Sequence, residues 1–513
     1  MKRLSVTAIL VVVTALFWHV IAFGQSEDAG YRLNREAQEI EKKAQSGADL
    51  QKAIIKYEEA LKVFEKAKSE RGRAIALNNV GSVYDDLGQY SKALEYYEKS
   101  LEIRKKTGDV KGEGVSLNNI GLTYKNLGQY SKALEYYEKS LEIRKKIGDL
   151  KGEGTSLNNI GLVYDDLGQY TKALEYHEKS LEIKKKTGDI NGEGTCLSNI
   201  GLAYKNLGQY TKALEYYEKS LEIKKKSGDV KGEGTSLNNI GLVYNDLGQN
   251  NKALEYYEKS LEIRKKTGDI KGEGISLNNI GLVYDNLGQY SKALEYHEKS
   301  LEIRKKTGDI KGEGISLNNI GAIYRNLGQY SKALEYYGKD LAITRKIGDV
   351  KGEGISLNNI GFVYKNLGQY TKALEYYGKD LSITRKIGDL RGEAISLNNI
   401  GAVYAQQGNY HDAIKVTSES LDIKKKIGVP TKGTIDLIAN YYLDAGDLNQ
   451  AEPLIRDTGY NSTLGRLALL KSDYSSAIAH YTKDANWAEK TGNANALFRS
   501  FTGMGRAYEG LED

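Results

Sequence analysis

The sequence predicts an all-α solenoid of stacked helical hairpins, and three observations carry that expectation. Leu-Asn-Asn-Ile-Gly recurs at Leu117, Leu157, Leu237, Leu277, Leu317 and Leu357, on a spacing of 40 residues or its multiples. A period of this length marks a supersecondary unit copied along the chain. Only 2 prolines occur in 513 residues, so almost nothing interrupts a helical hydrogen-bond ladder. Within one unit, Leu117, Ile120, Gly121, Tyr124 and Leu127 are spaced three and four apart, which places them on one face of a helix.

The chain begins with Lys2 and Arg3, an apolar run from Val6 to Phe23, and Ala22-Phe23-Gly24 before Gln25. That order of charge, apolar stretch and small residues is that of a secretory signal peptide over 1–24. Left uncleaved, residues 4–23 would instead tether the chain to a membrane. Either way the repeats are expected outside the cytoplasm, secreted or periplasmic. Cys196 is the single cysteine, so no internal disulfide is available there and stability must come from packing.

Residues 25–70 are expected to form a capping hairpin. The stretch from Tyr31 to Ser69 keeps Ala53, Tyr57, Ala60 and Leu61 but lacks the Asn-Asn signature. Residues 71–429 hold nine near-identical units. In each, a first helix (A) ends at a glycine such as Gly128, suited to the left-handed position after a helix. Ser131 is placed to cap a second helix (B), whose stripe is Ala133, Leu134, Tyr137, Ser140 and Leu141, and Gly148-Asp149 closes it and opens the next unit. A lone hairpin buries too little surface to offset the entropy of ordering it, so neighbours must stack. Residues 430–513 read as degenerate hairpins, with Ala451 and Ala477 in the small helix-B position. They end in an unpaired helix A near Gly510, which either continues into a longer parent chain or serves as the cap.

The residues Leu117, Ile120, Gly121 and Tyr124, followed by Tyr130, Ala133 and Tyr137, resemble the tetratricopeptide repeat. The 40-residue unit, Glu175-Tyr176-His177 and the Ile-Gly-Asp linker look like the subclass in Pins/LGN-type spindle adaptors and kinesin light chains. Ser140 departs from that motif, which prefers alanine there. The resemblance implies a right-handed superhelix whose helices A line a concave, peptide-binding wall. The tail, with Ala451-Glu452-Pro453-Leu454-Ile455-Arg456, is similar to the segment preceding caspase-like CHAT protease domains in bacterial proteins. This implies an alternative function, as the regulatory arm of a longer protein whose protease domain lies beyond this chain.

The first reading is an extracytoplasmic scaffold for other proteins. The asparagine ladder Asn79, Asn119, Asn159, Asn199, Asn239, Asn279, Asn319, Asn359 and Asn399 would pair with an extended peptide backbone, since each amide offers donor and acceptor. With helices about 10 Å apart and a strand rising about 3.3 Å per residue, it would engage about every third residue. The competing reading is that these amides tie neighbouring helices together. A variable position reads Asp85, Lys125, Asp165, Lys205, Asn245, Asp285, Arg325 and Lys365. Lys125, Lys205, Arg325 and Lys365 would favour acidic partners, against the alternative of a ladder of inter-repeat ion pairs. End-to-end association through the last helix is a further possibility of this architecture.

Other classes find little support. Net charge is +6, from 74 basic and 68 acidic residues, and Lys2 and Arg3 supply two of the six, so no one-sided field for nucleic acid is expected. Arg144-Lys145-Lys146 and Lys184-Lys185-Lys186 read as solvated helix ends complementing the dipole. Gly108-Asp109-Val110-Lys111-Gly112-Glu113-Gly114 lacks the preceding strand of a phosphate loop. Cys196 with His177 is the sole candidate nucleophile pair, and drift at a packing position explains it better. His297, His411 and His480 fall in different repeats, so neither metal nor cofactor is expected, and the chain is not read as an enzyme.

Overall fold

A computed structural model describes residues 27–44, 46–491 and 494–512. The leader assigned to 1–24 lies outside them. Among the described residues there is no strand, and no helix is long and apolar enough to cross a membrane.

The unit from Asp109 shows why the chain folds locally as it does. Helix A, Val110–Asn126, is capped by Asp109, whose carboxylate accepts the Gly112 N–H at 3.0 Å. The helix stops where Gly128 turns left-handed at φ +70°. There the Gln129 N–H reaches Tyr124 O and the Gly128 N–H reaches Lys125 O, both at 2.9 Å, satisfying carbonyls that the helix end leaves bare. Helix B, Tyr130–Lys146, starts directly after Gln129, which makes no side-chain cap. Ser131 therefore sits inside the helix and is exposed, not at the cap as its residue type suggests. The turn fixes the cap position one residue past the left-handed glycine, two places too early for Ser131.

Ile120, Ala133 and Tyr137 are fully buried between the two helices. Gly121 allows this approach: a Cβ there would meet the Tyr137 ring at 2.9 Å. Successive units join through helix B. Ser140, the departure from alanine, is fully buried and donates from Oγ to Gly114 O at 2.8 Å, with Ser156 Oγ of the next unit 3.2 Å away. A hydroxyl at this site is thereby satisfied, and it links helix B to helices A on both sides.

The cation runs are not uniformly solvated. Arg144 is buried and donates to Gly152 O at 2.5 Å, and its fellow Lys184 is buried and pairs with Asp189 at 2.8 Å, while Lys145, Lys146 and Lys185 are exposed. Arg144 lies four residues past Ser140 and seven past Tyr137, hence on the packed face. The first cation of each run clamps the start of the next helix A.

Each helix A also touches the helix A of the following unit, which puts helices A on the shorter, inner side of a curved ribbon. The curve closes on itself. Lys311 donates from Nζ to Asn126 O and Lys351 to Asp166 O, each at 3.0 Å, five units further along. Arg391 donates to Tyr170 Oη at 3.0 Å and the Val350 N–H to Leu127 O at 3.2 Å. The winding therefore completes a turn in five to six units, and adjacent turns meet along a seam. Beyond Gly428 the helices shorten to Lys432–Asp444, Leu448–Thr458 and Asn461–Leu470 before the pair Tyr474–Thr491 and Ala494–Glu512.

Candidate functional site: the inner wall and its asparagine ladder

Helices A carry the ladder on the inner side of the winding. In every unit the second asparagine donates one amide N–H to the unit before it. Asn79 reaches Asn34 at 3.2 Å, Asn119 reaches Asn78 at 3.1 Å, Asn159 reaches Asn118 at 2.9 Å and Asn199 reaches Asn158 at 2.9 Å. Asn239 reaches the Ser198 hydroxyl at 3.0 Å, and Asn279, Asn319, Asn359 and Asn399 reach Asn238, Asn278, Asn318 and Asn358 at 2.9, 2.8, 3.0 and 3.0 Å. The ladder thus stitches units together. Each of the nine amides keeps a second N–H and an Oδ1, and that oxygen accepts no hydrogen bond among the described residues.

The variable position divides in two. Lys125 lies 3.3 Å from Asp166 and Lys205 3.4 Å from Asp246, each pair crossing to the next unit. Asp85, Asn245 and Asp285 accept from Asn126, Asn286 and Asn326 of the unit that follows, at 3.1, 2.9 and 2.9 Å. Arg325 and Lys365 behave otherwise. Both lie over the Phe362 ring, at 4.8 and 4.3 Å from its centroid, and neither forms an ion pair among the described residues. Burial, with the Arg325 charge beside it, holds the Lys365 ammonium below its usual pKa. The structure thus brings these two cations together and leaves Lys125 and Lys205 in separate pairs. Phe362 was not singled out from the sequence, although it is the one aromatic at a position held by Leu, Ala or Ser in the other units.

Asp85 is a pH-sensitive point. Burial pushes its carboxyl up to about 6, and Oδ1 is buried without a partner. The folded state thus favours the protonated form. Its stabilising effect is complete below the ordinary carboxylate pKa and disappears as pH rises through about 6. Asp85→Asn is therefore expected to melt above the wild type at pH 7.5, with the difference closing as pH falls toward 4. Thermal melts followed by circular dichroism at both ends of that range check it.

Cys196 and His177 do not meet. Asn158 stands between them, with its Oδ1 3.0 Å from His177 Nδ1 and 3.8 Å from Cys196 Sγ, while His177 Nε2 lies 3.0 Å from Asp165. Both are fully buried or nearly so, and burial raises the Cys196 thiol. A buried neutral thiol without direct contact to a base is no nucleophile. Among the described residues no cluster of His, Cys, Asp or Glu could hold a metal ion.

Paired antiparallel helices, a left-handed glycine between them and an inner wall of helices A define a helical-repeat scaffold. The tetratricopeptide repeat model matches residues 46–106, 113–186, 192–266, 272–346 and 352–426. The chain belongs to the tetratricopeptide repeat family, and as such it is a protein-interaction scaffold. No curated protein matches its sequence. Solved structures with a similar course include a Rap protein complexed with competence and sporulation factor, at 16% identity over 70% of this chain and 99% of that one, TM-score 0.48. Yeast Tom70 is similar at 14% identity over 85% and 96%, TM-score 0.44, and BtubC from P. vanneervenii at 18% over 40% and 88%, TM-score 0.36.

Proposed function

We propose that the protein is an extracytoplasmic scaffold that holds an extended, acidic segment of a partner protein along the inner wall. The observation that carries this reading is the contrast between paired and unpaired groups on that wall. The ladder amides retain an N–H and an Oδ1 that suit a peptide backbone of any sequence, while Arg325 and Lys365 supply cations with no carboxylate of their own. A guest carboxylate placed between them relieves the mutual repulsion of two half-buried charges. Lys125 and Lys205, held by Asp166 and Asp246, contribute to register more than to charge. The location outside the cytoplasm rests on the Lys2-Arg3 start and the apolar run to Phe23, and fractionation of the expressed chain tests it.

Charge reversal tests the groove better than truncating the asparagines, because the ladder also holds units together and each Asn→Ala change costs about 1 kcal/mol of stability. Binding of two labelled peptides of equal length, one rich in Glu and one rich in Lys, is measured by fluorescence anisotropy. The Glu-rich peptide should bind the more tightly, and Arg325→Glu with Lys365→Glu should weaken it about tenfold or more, without shifting the melting temperature. Equal binding of both peptides, or no response to the double reversal, overturns the reading.

A further inference from the structure

We infer that two successive units each carry a slot for a guanidinium group, on a small molecule or on an arginine of a guest chain, with Asp340 and Asp380 as the receiving carboxylates. From Arg104 to Arg304 the first cation of each helix B is Arg or Lys, and the position four residues before it is serine. In Tyr330–Ile347 and Tyr370–Ile387 both positions change together. Serine becomes Asp340 and Asp380, and the cation becomes Thr344 and Thr384, before Ser420 and Lys424 return to the earlier pattern.

Arg304 shows what is exchanged. Its Nε donates to Ser300 Oγ at 3.1 Å and its Nη1 to Asp309 at 3.3 Å, so a guanidinium fills the space between that helix B and the next helix A. Forty residues on, the shorter Thr344 leaves a cavity of about 380 Å³, lined by Asp340, Thr344, Ile315 and Ile355, with Tyr130 contributed by the adjacent turn. Small-ligand sites run from roughly 300 to 1,000 Å³. A second cavity, of about 180 Å³, repeats the set with Asp380, Thr384, Ile355 and Ile395.

Asp340 and Asp380 are each 4% exposed. Asp340 Oδ2 accepts from Asn318 at 2.8 Å and Ser356 at 2.6 Å, and Asp380 Oδ2 from Asn358 at 2.6 Å and Ser396 at 2.5 Å. In both, Oδ1 accepts nothing and no cation pairs with the carboxylate among the described residues. Asp349 and Asp389 on the same cavities differ, having Lys311 at 3.0 Å and Lys351 at 3.5 Å. Burial holds the Asp340 and Asp380 carboxyls above the ordinary range, with no basic side chain to offset it. A buried carboxylate with a free oxygen on a cavity is costly until a cation joins it. Guanidinium fits best, because a neighbouring unit holds one at this register and its planar fork matches a carboxylate. Ile315 and Ile355, half-exposed, can cover its alkyl stem. Neither Arg325 nor Lys365 lines these cavities, so the slots stand or fall independently of the acidic guest.

Isothermal titration of the full chain with n-butylguanidinium should show saturable binding, one ligand per slot, with the neutral n-butylurea at least about tenfold weaker. Asp340→Ser with Thr344→Arg restores the Ser300 and Arg304 arrangement and should remove one site while helicity is unchanged. Adding Asp380→Ser and Thr384→Arg should remove the other. A capped Gly-Arg-Gly peptide separates the two sources: binding tighter than n-butylguanidinium assigns the slots to a guest side chain, weaker binding to a free small molecule, and the fourfold variant should lose both. No saturable binding by the wild type, equal binding of n-butylurea, or binding that persists in the fourfold variant overturns the inference.

Discussion

Tyr217→Ala is expected to cost about 4 kcal/mol and to split the thermal unfolding of the array. Tyr217 is fully buried in the middle of the chain, with its ring set against Gly201 and packed with Ala213, Ile240 and Val243. Removing the ring leaves a void that flanking helices cannot fill, since each is already pinned by its own neighbour. Stability in a solenoid is a sum of terms between adjacent units, so a weakened central joint separates the halves energetically. Calorimetry should then resolve two transitions in the variant and a single one in the wild type. Tyr217→Phe should do the reverse. The Tyr217 hydroxyl is buried with no partner, and its removal relieves an unmet hydrogen bond, leaving stability unchanged or about 1 kcal/mol higher. Tyr137, Tyr337 and Tyr377 share this condition. A single, unshifted transition in the alanine variant would show that the units do not draw stability from one another.

The second large effect is on shape rather than on stability. Lys311→Glu with Lys351→Glu is expected to open the winding and raise the radius of gyration in small-angle scattering, while helical content stays constant. Lys311 donates to Asn126 O and pairs with Asp349 at 3.0 Å; Lys351 donates to Asp166 O and lies 3.5 Å from Asp389. Carboxylates in their place would face the negative ends of helices A and the carboxylate of Asp166. The Val350 N–H to Leu127 O bond alone would then span that part of the seam. These lysines are partly exposed, so each pair contributes about 0–1 kcal/mol and salt screens it. The wild type in high salt should therefore move part of the way toward the variant. A radius of gyration that does not change would mean that apolar packing such as that of Leu127 with Ile347 holds the turns without help.

The helical pairs were legible in the sequence because each depends on short spacings. Ile120, Tyr137 and the left-handed Gly128 follow from periods of three, four and one residue past a helix end. Arg144 was legible in principle by the same rule, since its register with Ser140 and Tyr137 puts it inside; reading the run as a block of charge hid this. The direction of the asparagine bonds was not legible, because Asn118 and Asn119 differ only in which neighbour each faces. The seam was beyond any local pattern. It depends on a small rotation repeated five to six times, and no spacing within one unit records that sum. Arg325 and Lys365 stood out by charge, but only the position of Phe362 between them separates the pair from Lys125 and Lys205, which look alike in sequence and are neutralised in place.

One property of the inner wall reaches past the identity of any guest. All nine ladder amides give their proton backward, toward the amino terminus, and none forward. The wall consequently has a grain, like fur that lies one way. On the proposed reading, a strand held along that wall would face free amide groups that all share one orientation. Its two senses would then differ in energy before any side chain is read, and one would be preferred.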